Sequence, residues 1–270
     1  MRYVLVALVL LFTSGAILIQ MGKRDGGETK ALRVFAAAGL RPGLESAAAA
    51  YQRETGQAVE LHWGGTGALY GQIVSGAACD AFIPGDAWTA RRGEAAGLLT
   101  IVAPVATQRP TLAVATGNPR GIGSWDDLLR DDVSVSMADP DQAATGRAVR
   151  EALGPPRWER LAARVRVLKP TVADSATDVQ LGAVDAAFVW DHMAIGSAAW
   201  EGLEGVELSS PSFVAEAVFV TLVEGSANDR ARAFAEWLSD RQGREHFRKA
   251  GFGEPEPDAV ASASADDTSR

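Results

Sequence analysis

From residue 32 onward, short apolar runs alternate with amphipathic stretches. Residues 32–36 read as a strand, 44–54 as a helix closed by Gly56, 58–63 as a strand and 67–74 as a helix. Residues 80–84 read as a short buried strand and 87–96 as a helix ended by Gly97. This strand–helix order predicts a parallel sheet covered by helices. A second set follows: strands at 111–116 and 133–137, helices at 146–153 and 157–163 on either side of Pro155-Pro156, a strand at 165–168, a helix at 175–181 and a strand at 186–190. Residues 215–223 alternate as a long strand. Residues 227–250 form one or two helices with Phe234, Trp237, Leu238 and Phe247 on one side.

The order predicts an α/β chain of two lobes. Residues 32–110 and 224–252 make the first, and 111–223 the second, with hinge strands near 111–116 and 215–223. A cleft between them would lie beyond the carboxyl ends of the strands, where open α/β sheets hold ligands. There is no internal repeat of useful strength. The tail, 253–270, holds Pro255, Pro257 and many Ala, Ser and Asp residues and is expected to be disordered.

The N-terminus changes the picture. Arg2 precedes an apolar run over residues 3–21, and a polar linker fills 22–31. The run reads as a signal peptide or a membrane anchor, with a buried core helix as the remaining reading. Ser14-Gly15-Ala16 would suit a signal peptidase, yet Ile17-Leu18-Ile19 prolong the run past it. No cysteine lies nearby, which excludes a lipoprotein; the single cysteine, Cys79, also precludes an intrachain disulfide. With 47% hydrophobic residues, the 270-residue chain can build a sizeable core. Its net charge is −8, and Arg2, Lys23 and Arg24 all lie in the N-terminal segment, so the body is more acidic still. That argues against nucleic acid as a partner. It leaves a small anion open, because backbone dipoles hold anions whatever the net charge.

Four strand-to-helix junctions are rich in small residues: 36–40, 64–67, 139–146 and 170–175. Small side chains let a ligand reach the backbone, and helix N-termini present free N–H groups with partial positive charge. Thr66 and Thr145 add hydroxyls. Each junction taken singly also reads as an ordinary tight turn with a helix cap.

Residues 34–40 (Val-Phe-Ala-Ala-Ala-Gly-Leu) resemble the opening of the periplasmic molybdate-binding proteins. Trp63-Gly64-Gly65-Thr66-Gly67, with Gln72-Ile73 and Gly76-Ala77, is similar to their second loop and helix. Residues 79–86, Asp139-Pro140-Asp141 with Gly146, 185–190 and 247–252 continue the resemblance in order. It implies a type II periplasmic-binding-protein-like fold, each lobe a mixed, mostly parallel sheet flanked by helices. It also implies capture of molybdate, tungstate or a similar oxyanion outside the cytoplasmic membrane for an ABC transporter permease, by a protein that is not an enzyme and is expected to be a monomer. Carried over by position, the ligand-binding residues are Gly39, Thr66, Thr145, Val172 and Trp190. Gly39 stands where the family has serine, and Trp190 where it has tyrosine, so the exact anion is the least determined part. Phosphate, sulfate or a small carboxylate remain alternatives, as does a membrane-tethered ligand sensor.

Ala38, Arg41, Gly67 and Asp191 are further candidates around the same loops. Asp174, a carboxylate beside a would-be anion, is expected to cap its helix instead. His62, His192 and His246 lack metal-ligand spacing, although His192 follows Asp191 closely enough to touch a ligand. No cofactor is implied. The sequence has no Gly-x-Ser-x-Gly elbow and no metal cluster, and Gly65-Thr66-Gly67 lacks the lysine of a phosphate-binding loop.

Overall fold

Ten strands and seven α-helices make up the part of the chain that a computed structural model describes, residues 30–165, 168–195, 198–208, 213–226 and 228–255. The expected signal or anchor segment, nearly all of the linker and most of the tail lie outside the described residues. Among the described residues no helix is long and apolar enough to cross a membrane.

The first sheet contains β1 (Leu32–Ala37), β2 (Val59–Gly64), β3 (Ala81–Ile83), β4 (Leu99–Gln108) and β10 (Glu216–Val223), in the order β2-β1-β3-β10-β4. The second contains β5 (Pro110–Ala115), β6 (Val135–Ala138), β7 (Leu168–Lys169), β8 (Ala186–Trp190) and β9 (Leu203–Val206), in the order β7-β6-β8-β5-β9. In each sheet one strand runs against the others: β10 in the first and β5 in the second. Both sheets are therefore mixed and mostly parallel, as expected.

The first sheet is covered on both faces. Leu32 and Val34 pack toward α1 (Arg41–Thr55), α6 (Asp229–Ser239) and α7 (Arg241–Lys249), among Leu44, Tyr51, Phe234 and Phe247. Phe35, one residue out of phase, packs on the other face with Leu69, Tyr70 and Ile73 of α2 (Thr66–Val74). Strands buried on both faces read as continuous apolar runs, which is why β1 was legible. Side-chain caps fix three helix starts: Asp86 accepts from Thr89 N–H (2.6 Å) at α3 (Ala87–Ala95), Thr171 and Asp174 form a capping box at α5 (Val172–Gln180), and Asn228 caps α6. Asp174 is thus a cap, as expected. Two expected helices join as α4 (Ala144–Ala162), broken at Gly154 (φ 67°) just before Pro155-Pro156.

The sequence reading left β4 unassigned. Pro104 interrupts its pattern and sits at a bulge against Val218/Phe219, on an edge strand where a missing N–H is tolerated. The chain leaves the first sheet at Gln108 and enters the second at Pro110. The strand 215–223, taken as part of the second lobe, pairs along its length with β3 and β4 of the first sheet.

Candidate functional site

The carboxyl ends of β1, β2 and β3 face those of β6, β7 and β8 across a small cavity. Ala37, Ala38 and Gly39 reach it after β1, Gly64, Gly65 and Thr66 after β2, and Gly85 after β3. Ala143, Ala144 and Thr145 reach it after β6, Thr171 and Val172 after β7, and Trp190 at the end of β8. All five residues named first from the sequence, Gly39, Thr66, Thr145, Val172 and Trp190, therefore meet at one place. The cavity leaves about 10 Å³ for the centre of a water-sized sphere, roughly one water's worth.

No lining side chain is ionisable. Polarity comes from the backbone and two hydroxyls. Thr66 and Val172 are the first residues of α2 and α5, and Thr145 the second of α4; first-turn amides have no partner within their own helix. The Thr66 hydroxyl oxygen accepts from Gly85 N–H (3.0 Å), which turns its own proton away from that bond. Thr145 Oγ1 is buried and makes no hydrogen bond. A buried hydroxyl without a partner is uncommon in folded proteins, and this one lines the cavity.

Position 39 is tightly packed against Trp190. A Cβ there would stand 3.0 Å from Trp190 Cδ1 and 3.1 Å from Val172 Cγ1. A serine there would require the indole or Val172 to shift by a few tenths of an ångström, so the two departures from the resembled family lie against each other.

The further candidates divide. Ala38 lines the cavity, but Gly67 does not: its N–H donates to Gln142 O (2.8 Å) across the cleft. Arg41 lies outside. Its guanidinium bonds to exposed Glu45 (2.9 Å) and stacks on Trp63 (4.7 Å), which satisfies it without an anion. Asp191 pins the crossing between sheets, accepting from Arg109 N–H (3.1 Å) while donating its own N–H to Arg109 O (2.8 Å). Burial raises its carboxyl above the usual range, and backbone N–H donors oppose that rise.

His192 lies behind the cavity rather than in it. Gln108 Nε2 donates to Gly85 O (2.9 Å), and Gln108 Oε1 faces His192 Nε2 at 3.2 Å. The ring stacks on Phe252 at 3.7 Å. A carbonyl partner requires a proton on Nε2, which leaves Nδ1 as the bare nitrogen. The chain of bonds from Thr66 through Gly85 and Gln108 to His192 was invisible in the sequence, apart from the strand–turn–helix spacing that places Gly85 at a junction. His62 pairs with Glu60 and His246 with Ser46, both near the surface. Among the described residues no group of His, Cys, Asp and Glu is placed to hold a metal.

Burial pushes the His192 imidazole down to about 3. Between that value and about 6.5 the unfolded chain takes up a proton that the folded chain refuses. Folding stability is therefore lost as pH falls through this window, by up to about 1.4 kcal/mol per pH unit. His192→Gln should remove this component. From pH 7 to pH 5 the wild type should lose about 2 kcal/mol more than the variant in urea unfolding, and parallel losses would refute the assignment.

Two sheets with facing strand ends and a cavity between them define a two-lobed binding protein. A family model for bacterial extracellular solute-binding proteins matches residues 32–253, and the chain belongs to that family. It is 25% identical over 257 residues to the molybdate-binding protein ModA of Escherichia coli, covering 90% of this chain and 96% of that protein. Among solved structures, the periplasmic molybdate-binding protein of Azotobacter vinelandii matches with a TM-score of 0.68 at 22% identity, over 83% of this chain and all of that one. The sulfate-binding protein SubI of Mycobacterium tuberculosis matches with a TM-score of 0.72 at 20% identity, over 86% and 89% of the two chains. The architecture is the type II periplasmic-binding fold.

Proposed function

We propose that this protein captures a small tetrahedral oxyanion, molybdate or tungstate, outside the cytoplasmic membrane and delivers it to an ABC permease. The observation that carries the reading is the unpartnered, buried Thr145 hydroxyl beside the oriented Thr66 hydroxyl, at the starts of three helices. Such a set stabilises an anion through fixed dipoles, with no buried cation to desolvate. Backbone from both lobes meets around the cavity, so the ligand enters with the lobes apart and they close around it. The E. coli relative's name supports molybdate. The M. tuberculosis neighbour keeps sulfate as a second reading, and the donors alone do not separate the two. Calorimetry with molybdate, tungstate, sulfate and phosphate ranks them directly.

Thr66→Ala removes the hydroxyl and Thr66→Val keeps its shape. A hydrogen bond to a charged group contributes about 1.5–3 kcal/mol, so both variants should bind the preferred anion roughly ten- to a hundredfold more weakly. Unchanged affinity in both would place the site elsewhere. Delivery to a permease is tested by uptake of the preferred anion in cells lacking this protein.

A further inference from the structure

One cation crosses the cleft outside the anion cavity. Arg147 belongs to α4 of the second lobe and is 7% exposed. On its own helix it is held by Glu151, whose carboxylate accepts from Nη1 at 2.7 and 2.8 Å. Its other charged and aromatic partners come from the first lobe. Trp88 of α3 stacks on it at 5.1 Å, and Nη2 stands 3.5 Å from Asp86 Oδ1 and 3.9 Å from Glu216 Oε1. Asp86 caps α3 and Glu216 opens β10, so both carboxylates are fixed to the first lobe. None of these residues lines the anion cavity.

The two first-lobe carboxylates are close enough to repel each other. Burial and the neighbouring Asp86 push the Glu216 carboxyl above its usual range, and Arg147 pulls it back. With the lobes together, Asp86 is 1% exposed and the Glu216 side chain 22%. Closing the cleft therefore takes two like charges out of water together, and a buried charge without a counterion is costly. With the lobes apart, water screens both. Arg147 arrives with the second lobe and supplies the opposite charge as the water leaves. Its Nη2 makes no hydrogen bond to either carboxylate, so this contact is one of charge alone, and it forms and breaks with the approach of the lobes.

We propose that Arg147 is a positioning residue for ligand capture: it neutralises the first-lobe pair Asp86 and Glu216 as the lobes come together, and the anion-holding form depends on it. This rests on the reading that the cleft closes around an oxyanion, and it adds residues that never touch the ligand.

The test uses the full chain and whichever of molybdate, tungstate, sulfate and phosphate the wild type binds most tightly. Calorimetry gives the affinity, and stopped-flow tryptophan fluorescence gives the rates. Arg147→Met leaves the two carboxylates unpaired in the closed form, so affinity should fall at least about tenfold. The loss should come from faster dissociation, with the association rate within about threefold of wild type, because the anion meets the open cleft first. Asp86→Asn combined with Glu216→Gln strands the cation instead and should also weaken binding; the asparagine keeps the oxygen that caps α3. Combining all three substitutions removes the charges that face one another across the cleft, and affinity should return to within about threefold of wild type. Damage to the packing of either lobe would accumulate in the triple variant rather than cancel. An Arg147→Met variant that binds like the wild type, or a triple variant that binds no more tightly than Arg147→Met, overturns the proposal. Should Arg147→Met not fold, wild-type affinity in the Asp86→Asn, Glu216→Gln variant overturns it equally. If the wild type binds none of the four anions, the oxyanion reading falls, and this inference with it.

Discussion

Gly65→Ala should abolish tight ligand capture while leaving the fold intact. A Cβ on Gly65 would stand 2.3 Å from Gln142 O and 2.4 Å from Pro170 O, both on the opposite side of the cleft. Backbone atoms cannot swing aside as a flexible side chain can, so the lobes must stay apart. Gly65 has φ −69° and ψ 141°, an extended conformation that alanine adopts freely. The backbone of Gly65 therefore does not oppose the change. An unclosed cleft loses the donors of one side. If two charge-assisted hydrogen bonds are lost, at about 1.5–3 kcal/mol each, affinity falls by roughly a hundredfold to ten-thousandfold. Calorimetry would show the loss. Small-angle scattering at saturating ligand should show the radius of gyration of the ligand-free state. A variant that binds and compacts like the wild type would mean that the lobes do not meet at Gly65.

Trp190→Ala should cost both stability and binding. The indole is 1% exposed and packs within a cluster containing Val172, Ala176, Val189 and Met193. Truncating a buried aromatic to alanine destabilises by about 3–5 kcal/mol. For a chain of this size that lowers the melting temperature by roughly 6–20 °C. The cavity wall disappears with it, so binding should weaken at temperatures where the variant is still folded. Trp190→Phe retains most of the packing and should lower the melting temperature far less. A melting temperature unchanged in Trp190→Ala would show that the side chain is not part of the core.

Several parts of this structure were readable because one residue type has one physical use. Strands β1 and β8 are apolar runs that only a sheet covered on both faces accommodates. Gly56 ends a helix at positive φ (75°), as glycine's freedom there allows, and the break before the helix at 157–163 is readable from Pro155-Pro156. The convergence of Gly39, Thr66, Thr145, Val172 and Trp190 was legible through family resemblance and through the rule that ligands gather at strand carboxyl ends. What stayed hidden depends on partners distant in sequence. Glu45, four residues on, is a neighbour the helix spacing gives, but nothing near residue 41 says that Trp63 stacks on its guanidinium. Nothing near residue 191 says that its carboxylate holds the backbone of Arg109.

The place of β10 has a consequence for the order of assembly. It lies between β3 and β4, and its Thr221 bonds to Phe82, 139 residues earlier in the chain. A ribosome making this protein releases β3, β4 and then the whole second sheet before the strand that joins β3 to β4 exists. The second sheet, formed from one continuous stretch, can fold while synthesis continues, whereas the first waits with two open strand edges. Pairings this remote in sequence form slowly and leave sticky edges exposed meanwhile. The nascent chain therefore stays half-built until nearly its last residues emerge, and it is during that interval that a holding chaperone has the most to bind.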